Sequence, residues 1–450
     1  MIKVNLIKLY DNIKNPLEED FILKMLIECY KKDAGLYRTI SRLYAQEPIE
    51  EPSMLDENHP LALSEYELKT FVGNLYKKHF DIIPEEVLKR DVFKRHQYNI
   101  GDKDSVENFA QYFFEDYLGG TKYFNWGYGA REVRLRHPNT LVDFQKKSLD
   151  VKYEYDAQVK HRIYINVKPD DIYSFAGELV NLFNEQDLDF VMKFQRPWRG
   201  RADVLVLYCK DNNFEKTLDL LNDLKNKKPE LVANCSIPPI FTGVVDDWLG
   251  VSVEPKKLSN GSSYSYNGRR AELVSRAIGK VILNNLDDNT LNGLSKDIVG
   301  EIEKGTYNPE ENKKFISFSE DMNQNAKATI AKFVALNEED WIDDALYEKY
   351  GISCSDFTNG KELSIIREKL SEMTDLIITK IGEDVFLNQM RSNINEALLI
   401  NGIDSDKFCF EINTKAEFLN QSSEKDNQQE LNENTLNLSD DAPASGAPGR

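Results

Sequence analysis

The chain has 450 residues, a formal net charge of −19, 41% hydrophobic and 30% charged residues, enough to build two or three domains around a sizeable core. Its pI near 4.9 argues against a general nucleic-acid binder, whose cationic face would have to outweigh the overall repulsion. No apolar run reaches the roughly 18–20 residues of a bilayer span, the start MIKVNLIKLYDNIKN lacks the continuous apolar stretch of a secretory signal, and five cysteines (Cys29, Cys209, Cys235, Cys354, Cys409) show no CxxC spacing, so membrane insertion, a disulfide framework and a zinc site are not indicated. The expectation is a soluble, cytoplasmic protein.

Residues 1 to about 110 read as helical and irregular. EEDFILKMLIECYKK and SEYELKTFVGNLYKKHF repeat apolar positions at three-to-four spacing, with a Pro-rich acidic joint at Glu47 to Pro60 between them. The run FAQYFFEDYLGGTKYFNWGYG (109–129) sets aromatics around glycines, which suits either tight turns at a cleft or an aromatic mini-core. From about Val159 the texture becomes α/β. HRIYINVKP (161–169) alternates like a half-buried strand, Pro169, Asp170 and Asp171 open the amphipathic helix IYSFAGELVNLFNE, and FVMKFQ and ADVLVLYCK follow as two strands. A second helix runs through FEKTLDLLNDLKNK.

The order strand, helix, strand, strand, helix predicts one α+β layer with a mixed or antiparallel sheet. SIPPIFTGVVDDWLGVSVEP (236–255) is rich in Pro and Gly and is predicted as a long ordered loop crossing the sheet. After GSSYSYNGRR a helix starts at RAELVSRAIGKVI, with Ser265 or Asn267 as its N-cap. Helical sequence continues to about Asn401, and beyond Ser423 the polar, low-complexity end reads as disordered. The resulting division is a helical N-terminal region (1–110), an α+β core (111–285), a helical C-terminal region (286–420) and a disordered tail (421–450).

The most informative stretch joins the two strands: DFVMKFQRPWRGRADVLVLY places Lys193, Arg196, Arg199 and Arg201 within nine residues and no acid among them. Such a loop suits an anion, and a phosphate in particular. Kinase and NTPase chemistry would need a Gly-rich cradle and metal-binding carboxylates, yet no GxxxxGK[ST] and no HRDxxxxN with DFG occurs; a phosphatase's Cys-x5-Arg loop is also missing. What remains is chemistry in which arginines neutralise a departing phosphate. A lysine crowded by arginines has a lowered pKa and can take a proton from a carbon next to a carbonyl.

The succession YINVKPDD, VMKFQRPWRGRADVLVLY, IPPIFTGVVDDWLGVSVEP and SYNGRRAELVSRAI resembles the HopA-type effector family. That family is similar in turn to phosphothreonine lyases and to the lyase components of lanthipeptide and thioamitide biosynthesis. The resemblance covers roughly residues 110 to 285. It implies an α+β lyase-like core, no metal or other cofactor, and β-elimination of phosphate from phosphoserine or phosphothreonine in a peptide or protein, giving dehydroamino acids.

By this resemblance Lys193 matches the base that removes the Cα proton. Arg201, Arg270 and Arg196 match the basic positions that hold phosphate. Arg162 and Tyr164 stand where lyases carry a lysine and a general-acid histidine. That departure leaves Tyr164 as the acid, with His161 as substitute, and Tyr208 orients the phosphate or caps the core. Arg199 reads as stacking on Trp198, and Arg269 and Arg276 as ordinary helix-face charges. The implied partners are a phosphorylated peptide or protein and a separate Ser/Thr kinase, with no nucleic acid and no membrane; type III secretion is a second possibility for location.

The missing histidine favours an alternative of a different class, an inactive phosphopeptide- or partner-binding protein of the same fold. A further resemblance, of DVFLNQMRSNINEALLINGIDSDKFCFEIN (384–413) to the leader region of nitrile-hydratase-type peptide precursors, implies a fused precursor-like C-terminal segment.

Overall fold

The computed structural model describes residues 4–36, 132–136, 159–188, 190–195, 202–255, 266–305, 309–334 and 361–421. The expectations for 47–60, 64–80, 109–129 and the tail beyond 423 lie outside the described residues. Two helices, α1 (Leu6–Asn12) and α2 (Asp20–Lys32), come first, joined by a short 3-10 turn at Pro16–Glu18. Asn5 caps α1 by accepting from the Lys8 amide, the role its short polar side chain suits.

Among the described residues seven strands form the sheet: β1 (Glu132–Arg136), β2 (Val159–Val167), β3 (Val191–Gln195), β4 (Leu205–Lys210), β5 (Cys235–Ser236), β6 (Gly243–Asp246) and β7 (Leu249–Val253). Their order is β1-β3-β4-β2-β7-β6, with β5 on a second stretch of β2. Every pairing is antiparallel, so the architecture is α+β and the sheet antiparallel.

Helices α3 (Ile172–Glu185) and α4 (Asp211–Lys227) cover one sheet face, followed by the short α5 (Pro229–Val232). Ile172, Phe175, Ala176, Leu179, Val180 and Phe183 make the buried stripe of α3, spaced as an amphipathic helix requires. They meet Ile163, Ile165, Leu205 and Leu207 of the sheet in one core.

The opposite face packs on a helical assembly: α6 (Tyr266–Asn285), α7 (Asp288–Lys304), α8 (Pro309–Phe333), α9 (Lys361–Glu372), α10 (Thr374–Ile381) and α11 (Glu383–Ile400). Tyr164 and Val206 are the sheet's contribution to this second core, and α2 joins it through Leu23, Leu26 and Tyr30. Among the described residues no helix is long and apolar enough to cross a membrane.

Three sequence expectations are corrected here. The first strand is buried on both faces, with only Lys160 exposed, because β2 lies inside the sheet rather than at a half-solvated edge. The stretch 236–255 is not a loop: it holds β6 and the fully buried β7, which pairs with β2. Pro238 and Pro239 sit in the 238–242 bend, which lies across Gly250, where an added Cβ would come within 2.7 Å of Pro238 Cβ. The glycine therefore reflects close approach of one segment to another. Asn267 is the second residue of α6 rather than its cap, and Ser265 lies outside the described residues.

The charges of α6 are a fourth correction. Arg269, Arg270, Glu272 and Arg276 are all buried, so Arg269 and Arg276 are not solvent-facing. Glu272 Oε1 accepts from Arg276 Nε at 2.6 Å and also from Arg367 Nη2 of α9. Burial works against the Glu272 charge, but Arg367 and Arg276 outweigh it and hold the carboxyl below the usual carboxylate range. A carboxyl with a depressed folded-state pKa contributes stability above its unfolded value of about 4.3, lost as pH falls further. Glu272→Gln is therefore expected to cost roughly 3 kcal/mol at pH 7 and to flatten the fall in stability below about pH 4.3, read by urea unfolding between pH 3 and 7.

Candidate functional site

Strand register builds the site. Residues directly opposite one another in a sheet share a face, and two adjacent rows run across the strands. One row is Ser252–Arg162–Tyr208–Val191 and the next is Gly250–Tyr164–Val206–Lys193. Arg162, Tyr164, Tyr208 and Lys193 thus lie on the face turned toward α6. One strand separates Tyr164 from Lys193, which sets their backbones roughly 10 Å apart, with Lys193 half-buried.

Arg162 reaches the interior already paired. Its Nη2 donates to Glu254 Oε1 at 2.5 Å and its Nε donates to Oε2, a bidentate fork that fits carboxylate geometry. The guanidinium carbon lies 5.1 Å from the centre of the Tyr208 ring. Burial opposes the charge, but the surrounding Tyr164, Glu254 and Tyr208 raise the Arg162 pKa further. Tyr164 is pushed up to about 12, chiefly by burial and against the pull of Arg162 and a hydrogen bond with Ser252. It therefore keeps its proton across the physiological range.

Arg270 approaches from α6. Its Nε donates to the Phe408 carbonyl at 3.1 Å, and its guanidinium carbon lies 4.7 Å from the Tyr266 ring centre. The Tyr266 hydroxyl donates to the Phe241 carbonyl at 2.6 Å, and its ring is 6.0 Å from that of Tyr164. Tyr266 thus links Arg270 to the sheet residues. The Arg270 side chain is 2% exposed, its Nη2 has no hydrogen-bond partner among the described residues, and burial lowers its pKa. The converging groups are guanidiniums, an ammonium and phenols, a donor set that suits an oxyanion.

His161 lies elsewhere. Its ring stacks at 4.2 Å on Phe214 of α4 and its Nε2 pairs with Asp211 Oδ1 at 2.9 Å, which places it on the sheet face opposite Tyr164. Adjacent strand residues point to opposite faces, so His161 is corrected as a substitute acid. Arg196, Arg199, Arg201 and Trp198 lie outside the described residues, as does any contact they make.

Sequence reasoning missed four participants. Glu254 and Ser252 were hidden by the loop reading of 236–255, although VSV before Glu254 is strand-like. Tyr266 sits in the quoted SYNGRR block without any signal to separate it from a packing residue. Phe408 stands 138 residues from Arg270, and no local pattern reports such a contact. Among the described residues no group of three or more His, Cys, Asp or Glu is arranged to hold a metal ion.

Removing one partner of a buried ion pair strands the other charge. Arg162→Met and Glu254→Met are each expected to cost roughly 3 kcal/mol, whereas the double substitution costs markedly less than their sum. A double-mutant cycle by denaturant unfolding reads this coupling.

Comparison with known proteins agrees with the block pattern. The sequence pattern of the HopA1 effector protein family matches residues 144–311. A solved structure of the effector protein from Pseudomonas syringae pv. tomato strain DC3000 is similar at 14% identity over 56% of this chain and 84% of that one, with a TM-score of 0.30. No curated protein matches the sequence. The matched segment, residues 144–311, is the one that carries Arg162, Tyr164, Lys193, Tyr208 and Arg270, and over it the chain is similar to the HopA1 effector protein family.

Proposed function

We propose that the chain eliminates phosphate from phosphoserine or phosphothreonine in a peptide or protein. The observation that supports this reading is the sharing of one sheet face by Lys193, Tyr164, Arg162 and Tyr208 in two adjacent cross-strand rows. In the step envisaged, the neutral Lys193 amine takes the Cα proton, the Cα–Cβ double bond forms, and the Cβ–O bond breaks. Its electron pair leaves on the phosphate oxygen, which receives the Tyr164 phenolic proton. Solvent then carries the proton from Lys193 back to Tyr164, so the net products are a dehydroamino acid and inorganic phosphate.

Arg162 and Arg270, with Arg196 and Arg201 from the basic loop, would hold the phosphate, and Tyr208 would set its orientation through Arg162. Bidentate arginine contacts strengthen as charge gathers on the leaving group. A separate Ser/Thr kinase would supply the phosphorylated substrate.

A second reading has its own observation. Glu254 already seats on Arg162, as befits a protein that binds a phosphopeptide or a partner without turning it over. A phosphothreonine peptide incubated with the full chain separates the two by mass spectrometry. The elimination reading expects loss of the mass of phosphoric acid, slowed about 100-fold or more by Lys193→Ala and by Tyr164→Phe. Binding with no mass change favours the second reading, and a rate indifferent to Lys193→Ala sinks the first.

A further inference from the structure

The C-terminal end of the described chain lies over the candidate site. After α11, residues 402–418 form a compact turn closed by a bridge between Ile403 and Glu411. Within it lies the buried Phe408, whose carbonyl accepts from Arg270 Nε and whose ring lies 5.1 Å from Phe241. The next residue continues along the sheet: the Val253 amide donates to the Cys409 carbonyl at 3.1 Å, one position before Glu254, the carboxylate on Arg162. One short segment thus bonds Arg270 directly and β7 at the residue before Glu254.

Its hold on Arg270 is incomplete. A neutral carbonyl serves one N–H of the guanidinium while Nη2, also buried, has no hydrogen-bond partner among the described residues. A phosphate offers two charged oxygens to the same Nε–Nη2 edge, a stronger and bidentate match. The side-chain polar fastenings of the segment lie away from Arg270, on α1 and the residues after it. Tyr10 donates to Asp404, Lys407 Nζ donates to the carbonyls of Asp11 and Ile13, and Lys415 pairs with Asp11 at 2.7 Å. Inside, Phe408, Cys409 and Phe410 pack into the cores while one carbonyl serves Arg270; at the rim the segment is latched by polar contacts.

We propose that residues 402–418 are an internal cap on the anion site, with the Phe408 carbonyl standing where an oxygen of a phosphate monoester binds, so that the cap and the phosphate exclude one another. This rests on the phosphate reading above and adds its regulation: access is set by the latch between the segment and α1.

The test uses the full chain and inorganic phosphate, titrated by calorimetry. Asp404→Ala/Lys407→Ala, which loosens the latch without touching Arg270, is expected to bind phosphate about tenfold more tightly than wild type, and adding Arg270→Gln is expected to abolish the gain. Equal affinity for wild type and the latch variant, or a gain that survives Arg270→Gln, overturns the proposal.

Should the latch variant fail to fold, Tyr10→Phe carries the test, since it removes the hydroxyl that donates to Asp404 and keeps the ring that stacks on Phe410. Tighter phosphate binding than wild type, abolished by Arg270→Gln, is expected; the same affinity as wild type overturns the cap. The two readings fail separately. A latch that controls phosphate binding in a protein that never eliminates leaves the cap standing and removes the lyase. Elimination with latch-independent binding does the reverse.

Discussion

The bidentate pair between Arg162 and Glu254 is the interaction on which the rest of the site depends. β2 is an interior strand buried on both faces, and an unpaired guanidinium there would carry a desolvation cost of several kcal/mol. Glu254 removes that cost and fixes the fork of Arg162 in one orientation, with the Tyr208 ring beside it. Because Glu254 follows β7 directly, the pair also ties β7 to β2 beyond their last paired residues. A charge that would otherwise expel the strand from the core becomes the feature that orders the sheet's inner face.

The same economy of charge recurs on α6. A helix with most of its surface buried is ordinarily apolar all round, yet this one carries three arginines and a glutamate inside. Two modes of satisfaction divide them. Arg276 and Arg367 share Glu272, a carboxylate-bridged arrangement that joins α6 to α9. Arg270 has a carbonyl and aromatic rings but no carboxylate bonded to it among the described residues. Along one helix, therefore, a structural ion cluster begins two residues after a cation with no carboxylate bonded to it among the described residues, and the difference in partners separates the scaffold from the site.

Much of the α+β core was legible because its signals are local. IYSFAGELVNLFNE spans α3 residue for residue, since the Pro–Asp–Asp start and the three-to-four apolar spacing point the same way. FVMKFQ and ADVLVLYCK likewise mark β3 and β4. Illegibility begins where distant partners override local character. Pro and Gly disguised β7, whose strand state depends on pairing with β2 from some 90 residues earlier in the chain. Arg269 and Arg276 read as surface charges because their burial comes from α9, α11 and the segment after it. In the site, the two-residue spacing of Arg162 and Tyr164 reported a shared face, while the identity of their partners, Glu254 and Tyr266, depended on register that no single stretch encodes.

The contacts between α1 and residues 404–415 have a consequence for biosynthesis. Tyr10 stacks on Phe410 at 5.3 Å, and the polar contacts of the same region join residues 394 to 404 positions apart. At a synthesis rate of roughly 5–20 residues per second, α1 waits on the order of 20 to 80 seconds outside the ribosome before these partners emerge. Throughout that interval the face bearing Leu6, Leu9 and Tyr10, buried in the finished protein, has only part of its docking surface. Docking of α1 on residues 404–415 thus cannot precede the synthesis of that segment, and a nascent chain stalled short of residue 404 would leave its first helix without these partners.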